Sequence, residues 1–243
     1  MIVIPMAGLS RRFTEAGYDR PKYMLDLPGG TVFDHAVGSF RALFASEPFL
    51  FIGRDVAGTR AFVERSCAAL GVGQARMVML DAPTAGQAET VELGLLQAGV
   101  ADGTPITIFN IDTFRPGFDF PPAAWWGHSD GYLEVFRGTG ANWSYVRPAP
   151  GEEALVAETA EKRVISDLCC TGLYHFARAE GFRAALARER QARSAAELYV
   201  APLYNHLVAA GQRIHYRVIA PADIVFCGVP AEYAALLDGG ADG

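Results

Sequence analysis

The sequence predicts an α/β fold with three layers, α/β/α: a mainly parallel, mixed central sheet covered by helices, with a smaller antiparallel β portion late in the chain. Three observations carry this expectation. In the first half, short apolar runs alternate with segments of helical periodicity, the pattern of parallel strands joined by crossover helices. Small or polar residues stand just past the expected strand ends, at Gly8, Thr84 and Asp112, where ligands gather in open parallel sheets. Beyond residue 130 or so, apolar runs follow one another with turns rather than helices between them.

The first strand is the branched apolar run over residues 1–5. It breaks into Ala7-Gly8-Leu9-Ser10, mostly small residues whose backbone can turn tightly and approach a ligand. Arg11 and Arg12 follow, and Lys22 stands behind Pro21. A strand, a loop with free N–H groups and then fixed cations can hold a polyphosphate. An ordinary strand-to-helix connection with solvated arginines fits the spacing equally well.

Apolar residues at helical spacing (Val32, Phe33, Ala36, Val37, Phe40, Leu43, Phe44) predict a helix over 31–44, with Pro48 beyond it. A strand follows over 49–52, closed by Gly53, then a helix over 56–70 ended by Gly71 and a strand over 75–80. The polar loop Thr84-Ala-Gly-Gln-Ala-Glu-Thr90 opens a helix running through Leu96, and a strand over 106–109 ends at Asn110-Ile-Asp112. In the second half, strands over 132–136 and 143–146 are expected as an antiparallel pair across Gly138-Thr-Gly140. Further strands over 155–159 and 170–176 flank Glu161-Lys162. Helices are expected over 181–193 and 198–211, a strand over 214–219 and a last helix over 231–237, with a frayed tail over 238–243.

Bulk properties exclude several classes. At 243 residues the chain is long enough for one large core. A net charge of −6 argues against a general nucleic-acid binder, while leaving room for a local cationic pocket. No apolar run reaches bilayer-spanning length, and nothing at the start marks the chain for export, so no membrane partner is expected. The four cysteines show no metal-ligand spacing, and adjacent Cys169 and Cys170 make a poor bridge; reduced, buried thiols of a cytoplasmic protein fit better. The Gly-x-Ser-x-Gly elbow of nucleophilic hydrolases is absent.

Some residues suit chemistry without proving it. Asp112, directly after an apolar strand and beside Asn110, could hold a divalent cation bridging phosphates. On pattern alone it reads first as a turn or helix-capping aspartate. Lys162 in Ala160-Glu-Lys-Arg163 could neutralise a phosphate, or belong to a solvated charge run. Trp143, Tyr145, Tyr174 and Phe176 have the period-two spacing of core packing, while Trp125-Trp126 suits either a pocket lining or a surface loop.

The chain resembles nucleotidyltransferases of the sugar-phosphate pyrophosphorylase type, which have a GT-A-like fold. Their strand, Gly-x-Gly-[Ser/Thr]-Arg and Pro-Lys signature stands here as Gly8-Leu9-Ser10-Arg11-Arg12 and Pro21-Lys22, with Ser10 in place of the second glycine and Arg11 in place of Ser/Thr. It is most similar to the small capsule- and lipopolysaccharide-associated branch. The shared motifs are Asn142-Trp-Ser-Tyr145, Glu161-Lys162 with Ile165-Ser-Asp167, Gly172-Leu-Tyr-His-Phe176 and Glu197-Leu-Tyr-Val-Ala-Pro-Leu-Tyr-Asn205. The resemblance implies one domain over 1–243, with a nucleotide-binding side over about 1–115 and an acceptor-binding side over about 116–238.

The implied reaction joins an NTP to a phosphorylated acceptor and releases pyrophosphate. By the resemblance, Ala7, Gly8, Leu9 and Ser10 wrap the triphosphate, Arg12 holds the leaving pyrophosphate, Lys22 holds the α-phosphate, and Asp112 binds Mg2+. Gly86 and Gln87 approach the base, which is that of CTP, dTTP or UTP, with a lean to CTP. Lys162, with Glu161, Gly172, Glu197 and Asn205, faces the acceptor, a hexose or heptose phosphate or a non-sugar phosphate such as phosphocholine. The second metal aspartate of many members, in Asp-x-Gly-Thr, is missing from Phe226-Cys-Gly-Val229; Asp167 and Asp223 are the candidates to replace it. Two other readings stand beside this one: a GT-A glycosyltransferase, to which Arg12 and Lys22 would offer nothing, and a nucleotide-binding regulatory domain.

Overall fold

The computed structural model describes residues 1–121 and 128–239; Trp125, Trp126 and the tail beyond Gly239 lie outside the described residues. A nine-stranded mixed sheet forms the centre. Its parallel part is β1 (Ile2–Pro5), β4 (Phe49–Gly53), β5 (Ala75–Met79) and β6 (Ile106–Phe109), in the order β6-β1-β4-β5. β1 pairs residue for residue with β4, Ile2 opposite Phe49 through Pro5 opposite Ile52. The short hairpin of β2 (Asp26–Leu27) and β3 (Gly30–Thr31) lies off this sheet.

Alternation along β1 and β4 sorts the layers. Val3, Leu50 and Ile52 pack with Val91 and Leu95 of α4 (Gln87–Gln97), Phe182 and Leu186 of α5 (Ala179–Gln191), and Leu203 and Leu207 of α6 (Leu203–Ala209). Ile2, Ile4, Phe49 and Phe51 face the other way. They pack against Phe13 of α1 (Arg11–Glu15), Phe33 and Val37 of α2 (Val32–Gly38), Val63 of α3 (Thr59–Leu70) and Tyr233 of α7 (Pro230–Gly239). Both faces are therefore apolar, which is why these strands read as unbroken apolar runs.

The remaining strands continue the same sheet. They are β8 (Gly131–Arg137), β9 (Ser144–Pro148), β10 (Val156–Glu161), β11 (Leu168–Phe176) and β12 (Ile214–Val218). β11 is antiparallel to β6, β8 and β9, and so joins the parallel half to the antiparallel half. The expected hairpin of β8 and β9 does not form: both pair with β11 and lie on opposite sides of it, Cys169 facing Phe136 on one side and Tyr145 on the other. A long central strand can satisfy two neighbours at once, and local turn signals do not report that.

Several helices differ from their periodicity. The 31–44 helix ends at Gly38 and resumes as a 3-10 turn over Arg41–Leu43; between them Phe40 leaves helical angles at φ −100 and ψ 21, and Ser39 Oγ accepts the Arg115 N–H at 2.8 Å. Its start is a reciprocal cap, with the Thr31 N–H donating to Asp34 Oδ2 and the Asp34 N–H to Thr31 Oγ1. The 198–211 helix begins only at Leu203, since Leu198 is bonded backbone to backbone to Ala85 and Ala88 and Pro202 caps the start. All four cysteines are buried and free of disulfides. No helix among the described residues is long and apolar enough to cross a membrane.

Near the joint, β7 (Thr113–Phe114) pairs with β13 (Val225–Phe226), drawing the start of α7 to the 110–113 loop. Arg115, immediately after β7, is buried with its Nε donating to buried Glu134 Oε2 at 3.0 Å. Paired in this way, the two charges hold that small ladder against β8.

His175 of β11 is buried, bonded through Nδ1 to Thr107 Oγ1 at 3.0 Å, and burial lowers its pKa to about 3. The unfolded chain takes up a proton near the ordinary value of about 6.5 that the fold refuses, so stability falls as pH drops from there toward 3, by about 1.4 kcal/mol per unit. Urea unfolding at stepped pH should show a shallower acid limb for His175→Gln than for the parent; equal slopes would contradict this account.

Candidate active site

The carboxyl ends of β1 and β6, the 84–87 loop and strands β9 to β11 enclose a cavity of about 1010 Å³. Among its walls are Ala7, Gly8, Leu9, Ser10, Arg12, Lys22, Gly86, Gln87, Asp112, Glu161, Gly172 and Glu197. Residues separated by up to 190 positions in the chain thus meet around one space.

The opening loop is built to leave donors free. Among the described residues, the N–H groups of Ala7, Gly8, Leu9 and Ser10 have no hydrogen-bond partner. A Cβ on Gly8 would meet nothing within 4 Å, so the space in front of it belongs to no protein atom. Ser10 explains its own substitution: it takes φ +50, the left-handed region where glycine is the default. Its Oγ accepts the Lys22 N–H at 3.4 Å, so the serine ties the loop to the Pro-Lys segment. Arg12 is exposed in the first turn of α1, without an ion-pair partner among the described residues. Lys22 instead donates from Nζ to Asp112 Oδ2, each side chain one-fifth exposed.

Asp112 has a second carboxylate near it. Glu232, in the first turn of α7, accepts the Gly228 N–H at 2.7 Å and the Val229 N–H at 3.2 Å and also lines the cavity. A Cβ on Gly228 would lie 3.3 Å from Asp112 Oδ2 and 3.7 Å from Glu232 Oε2, so the glycine keeps a gap open between two hard oxygen donors. That donor set fits a small divalent cation whose remaining ligands are phosphate and water oxygens. No group of three or more His, Cys, Asp or Glu side chains gathers as a metal site among the described residues. Asp167 pairs with Arg137, and Asp223 accepts the Ala220 N–H at 3.3 Å; neither lines the cavity. Glu232 was not among the expected residues, and its only sequence signal was an acidic residue two places after Pro230, the pattern of a helix first turn.

At the 84–87 loop, Gln87 Nε2 donates to Asn110 Oδ1 at 2.6 Å. Gly86, at φ +152, lies against Leu198, where a Cβ would stand 2.5 Å from the Leu198 carbonyl oxygen. Ala88 N–H donates to Leu198 C=O at 2.8 Å and Leu198 N–H to Ala85 C=O at 2.9 Å, so the two loops share a backbone ladder.

The opposite wall is acidic and aromatic, with Trp143, Tyr174, Tyr199 and Phe226 beside Glu161 and Glu197. Ser144 donates its hydroxyl to Glu161. Burial pushes the Glu161 carboxyl above the usual range, and Glu197 adds to the rise. Lys162 does not line the cavity; its Nζ donates to Tyr199 Oη at 2.7 Å. Asn205 lies outside the lining too, its amide spent on Thr159, accepting the Thr159 N–H at 2.7 Å and donating to Thr159 C=O at 2.8 Å.

Gly172 adopts φ +96 in a strand, and a Cβ there would stand 2.4 Å from Asn110 Nδ2. Gly172→Ala should lower stability by roughly 1–3 kcal/mol, from backbone strain and the clash together. A thermal melt unchanged from the parent would refute it.

No protein-family model and no curated protein matches the chain. Among solved structures, a nucleoside-diphosphate-sugar pyrophosphorylase from Vibrio cholerae RC9 is 53% identical, with a TM-score of 0.92, over 98% of this chain and 100% of that one. The inositol-1-phosphate CTP transferase from T. maritima is 16% identical with a TM-score of 0.72, over 100% and 96% of the two chains. A UDP-glucose pyrophosphorylase complexed with UDP-glucose is 14% identical with a TM-score of 0.76, over 99% and 98%. These last two show a shared fold.

Proposed function

Because the chain belongs to the sugar-phosphate nucleotidyltransferase family and is an enzyme of that kind, we propose that it condenses an NTP with a small phosphorylated acceptor, releases pyrophosphate and serves surface-polysaccharide synthesis. The observation that carries the site assignment is the single cavity in which unpaired backbone donors, Arg12, Lys22 and Asp112 face Glu161, Glu197 and an aromatic wall. One end suits a triphosphate and the other a substrate with polar groups and an apolar face.

In the proposed reaction an oxygen of the acceptor phosphate attacks the α-phosphorus in line. The bond from that phosphorus to the oxygen bridging to the β-phosphate breaks, and pyrophosphate leaves with the electron pair. Such a transfer requires positioning and charge neutralisation more than covalent chemistry. The N–H groups of residues 7–10 would cradle the phosphates, Arg12 would neutralise the leaving pyrophosphate and Lys22 the α-phosphate. Magnesium would be held at Asp112, with Glu232 facing it across the gap, and would supply further neutralisation of the phosphates. Gly86 and Gln87 would approach the base of CTP, dTTP or UTP, with CTP favoured by resemblance to the small branch. Lys162 would meet the acceptor phosphate and Glu197 its polar groups, while Asn205 would act through Thr159 by holding β10 in place.

A pyrophosphate-release screen of each NTP against sugar and non-sugar phosphates should find an active pair, and Lys22→Ala should lower turnover for that pair by roughly a hundredfold or more. Release from no pair, or full turnover in Lys22→Ala, would reject the assignment. Asp112→Asn should also weaken Mn2+ binding measured by electron paramagnetic resonance on the NTP-loaded protein.

A further inference from the structure

Lys162 sits in an unusual place for a phosphate-binding cation. It is exposed, outside the cavity lining, and held at φ +54, a left-handed conformation that a lysine adopts only under local constraint. Part of that constraint is its own N–H, which donates to the Trp143 carbonyl at 2.9 Å. The ammonium is directed elsewhere: Nζ donates to Tyr199 Oη at 2.7 Å and stands 4.8 Å from the centre of the same ring. Tyr199 does line the cavity. The hydrogen bond to the phenol is also the main reason the lysine's pKa is raised.

Tyr199 is a firm perch. Its neighbours Leu198 and Val200 are each 1% exposed, and Leu198 is laddered backbone to backbone onto residues 85–88. A phenol oxygen that accepts from an ammonium keeps its own O–H as a donor. A long lysine side chain loses much rotamer freedom when it is fixed in one geometry. Holding it beforehand removes that cost from the binding of a phosphate.

We propose that Tyr199 is the positioning residue for the acceptor phosphate: it carries the Lys162 ammonium to the cavity wall and presents the phenol O–H beside it as a second donor. This rests on the reading of Lys162 as the acceptor-phosphate cation. The arrangement also places that cation on the same backbone frame as the nucleotide loop, so the acceptor phosphate and the α-phosphate are registered to each other through Leu198.

The test uses the full chain labelled with 13C,15N-lysine. The triphosphate grip is filled with magnesium tripolyphosphate, which needs no base recognition, and inorganic phosphate is titrated as the probe. The Lys162 Cε and Nζ resonances are assigned by their loss in Lys162→Gln. In the parent these resonances should respond to phosphate. Tyr199→Phe should require about ten times more phosphate for the same response, as expected for one charge-assisted contact. It should also lower the Lys162 pKa, with the thermal midpoint unchanged. Tyr199→Leu, which removes the ring as well, should weaken the response further, and neither change should add to the loss of phosphate binding in Lys162→Gln. An unchanged phosphate response and an unchanged Lys162 pKa in Tyr199→Phe would overturn the role of Tyr199 while leaving that of Lys162 standing. If the parent's Lys162 resonances ignore phosphate while those of Lys22 respond to tripolyphosphate, the reading of Lys162 itself fails, and the proposal with it.

Discussion

The site depends on the joint between β6 and β11. Here a parallel sheet that began with β1 meets a strand running the other way, and the Asn110 N–H donates to Gly172 C=O at 3.2 Å. The pairing of β11 with β8 is irregular between Cys170 and Tyr174, around Gly172. Bulges of this kind re-aim side chains at the ends of strands. The residue that follows β6 is therefore clamped from one side by a glycine without a Cβ and from the other by the Gln87 amide. Asp112 leaves that clamp facing Lys22 and Gly228. A parallel sheet alone would supply loops at its carboxyl edge; the antiparallel addition closes the far wall.

Charge is divided within the enclosure. The chain is acidic overall, with a formal charge of −6, yet cationic groups and free N–H donors collect at the end nearest β1. Lys22 and Asp112 satisfy each other while only one-fifth exposed, so neither is left as an isolated charge in a partly desolvated place. At the opposite end Glu161 is kept company by Ser144 and by burial, with no cation within ion-pair distance among the described residues. A substrate with phosphate at one end and polar groups at the other would find complementary potentials along its length.

Much of this was legible in the residues. The strands at 2–5, 49–53 and 106–109 were readable almost to the residue because both of their faces are buried, which leaves an unbroken apolar signal. The loops at Gly8, Gly86 and Asp112 were readable because they directly follow such runs or open helices. Failures fell where distant backbone decides. Residues 198–201 have helical composition, but Leu198 gives both of its backbone hydrogen bonds to the 85–88 loop. The strands at 131–137 and 144–148 are separated by a glycine turn but are both claimed by β11. Asn205 sits inside a family motif although its amide serves Thr159, and Glu232 reads as a helix cap until Gly228 brings it near Asp112. Local pattern reports how a residue folds, not which remote partner it meets.

The ladder that joins Leu198 to Ala85 and Ala88 has an evolutionary consequence. Because the two loops are fastened through backbone atoms, with no room for a side chain at Gly86, neither can change in length without displacing the other. A change in what the cavity can hold must then come from side chains that line it from outside the ladder, such as Trp143, Ser144 and Glu197. The frame is inherited as a unit, and variation is confined to its fittings.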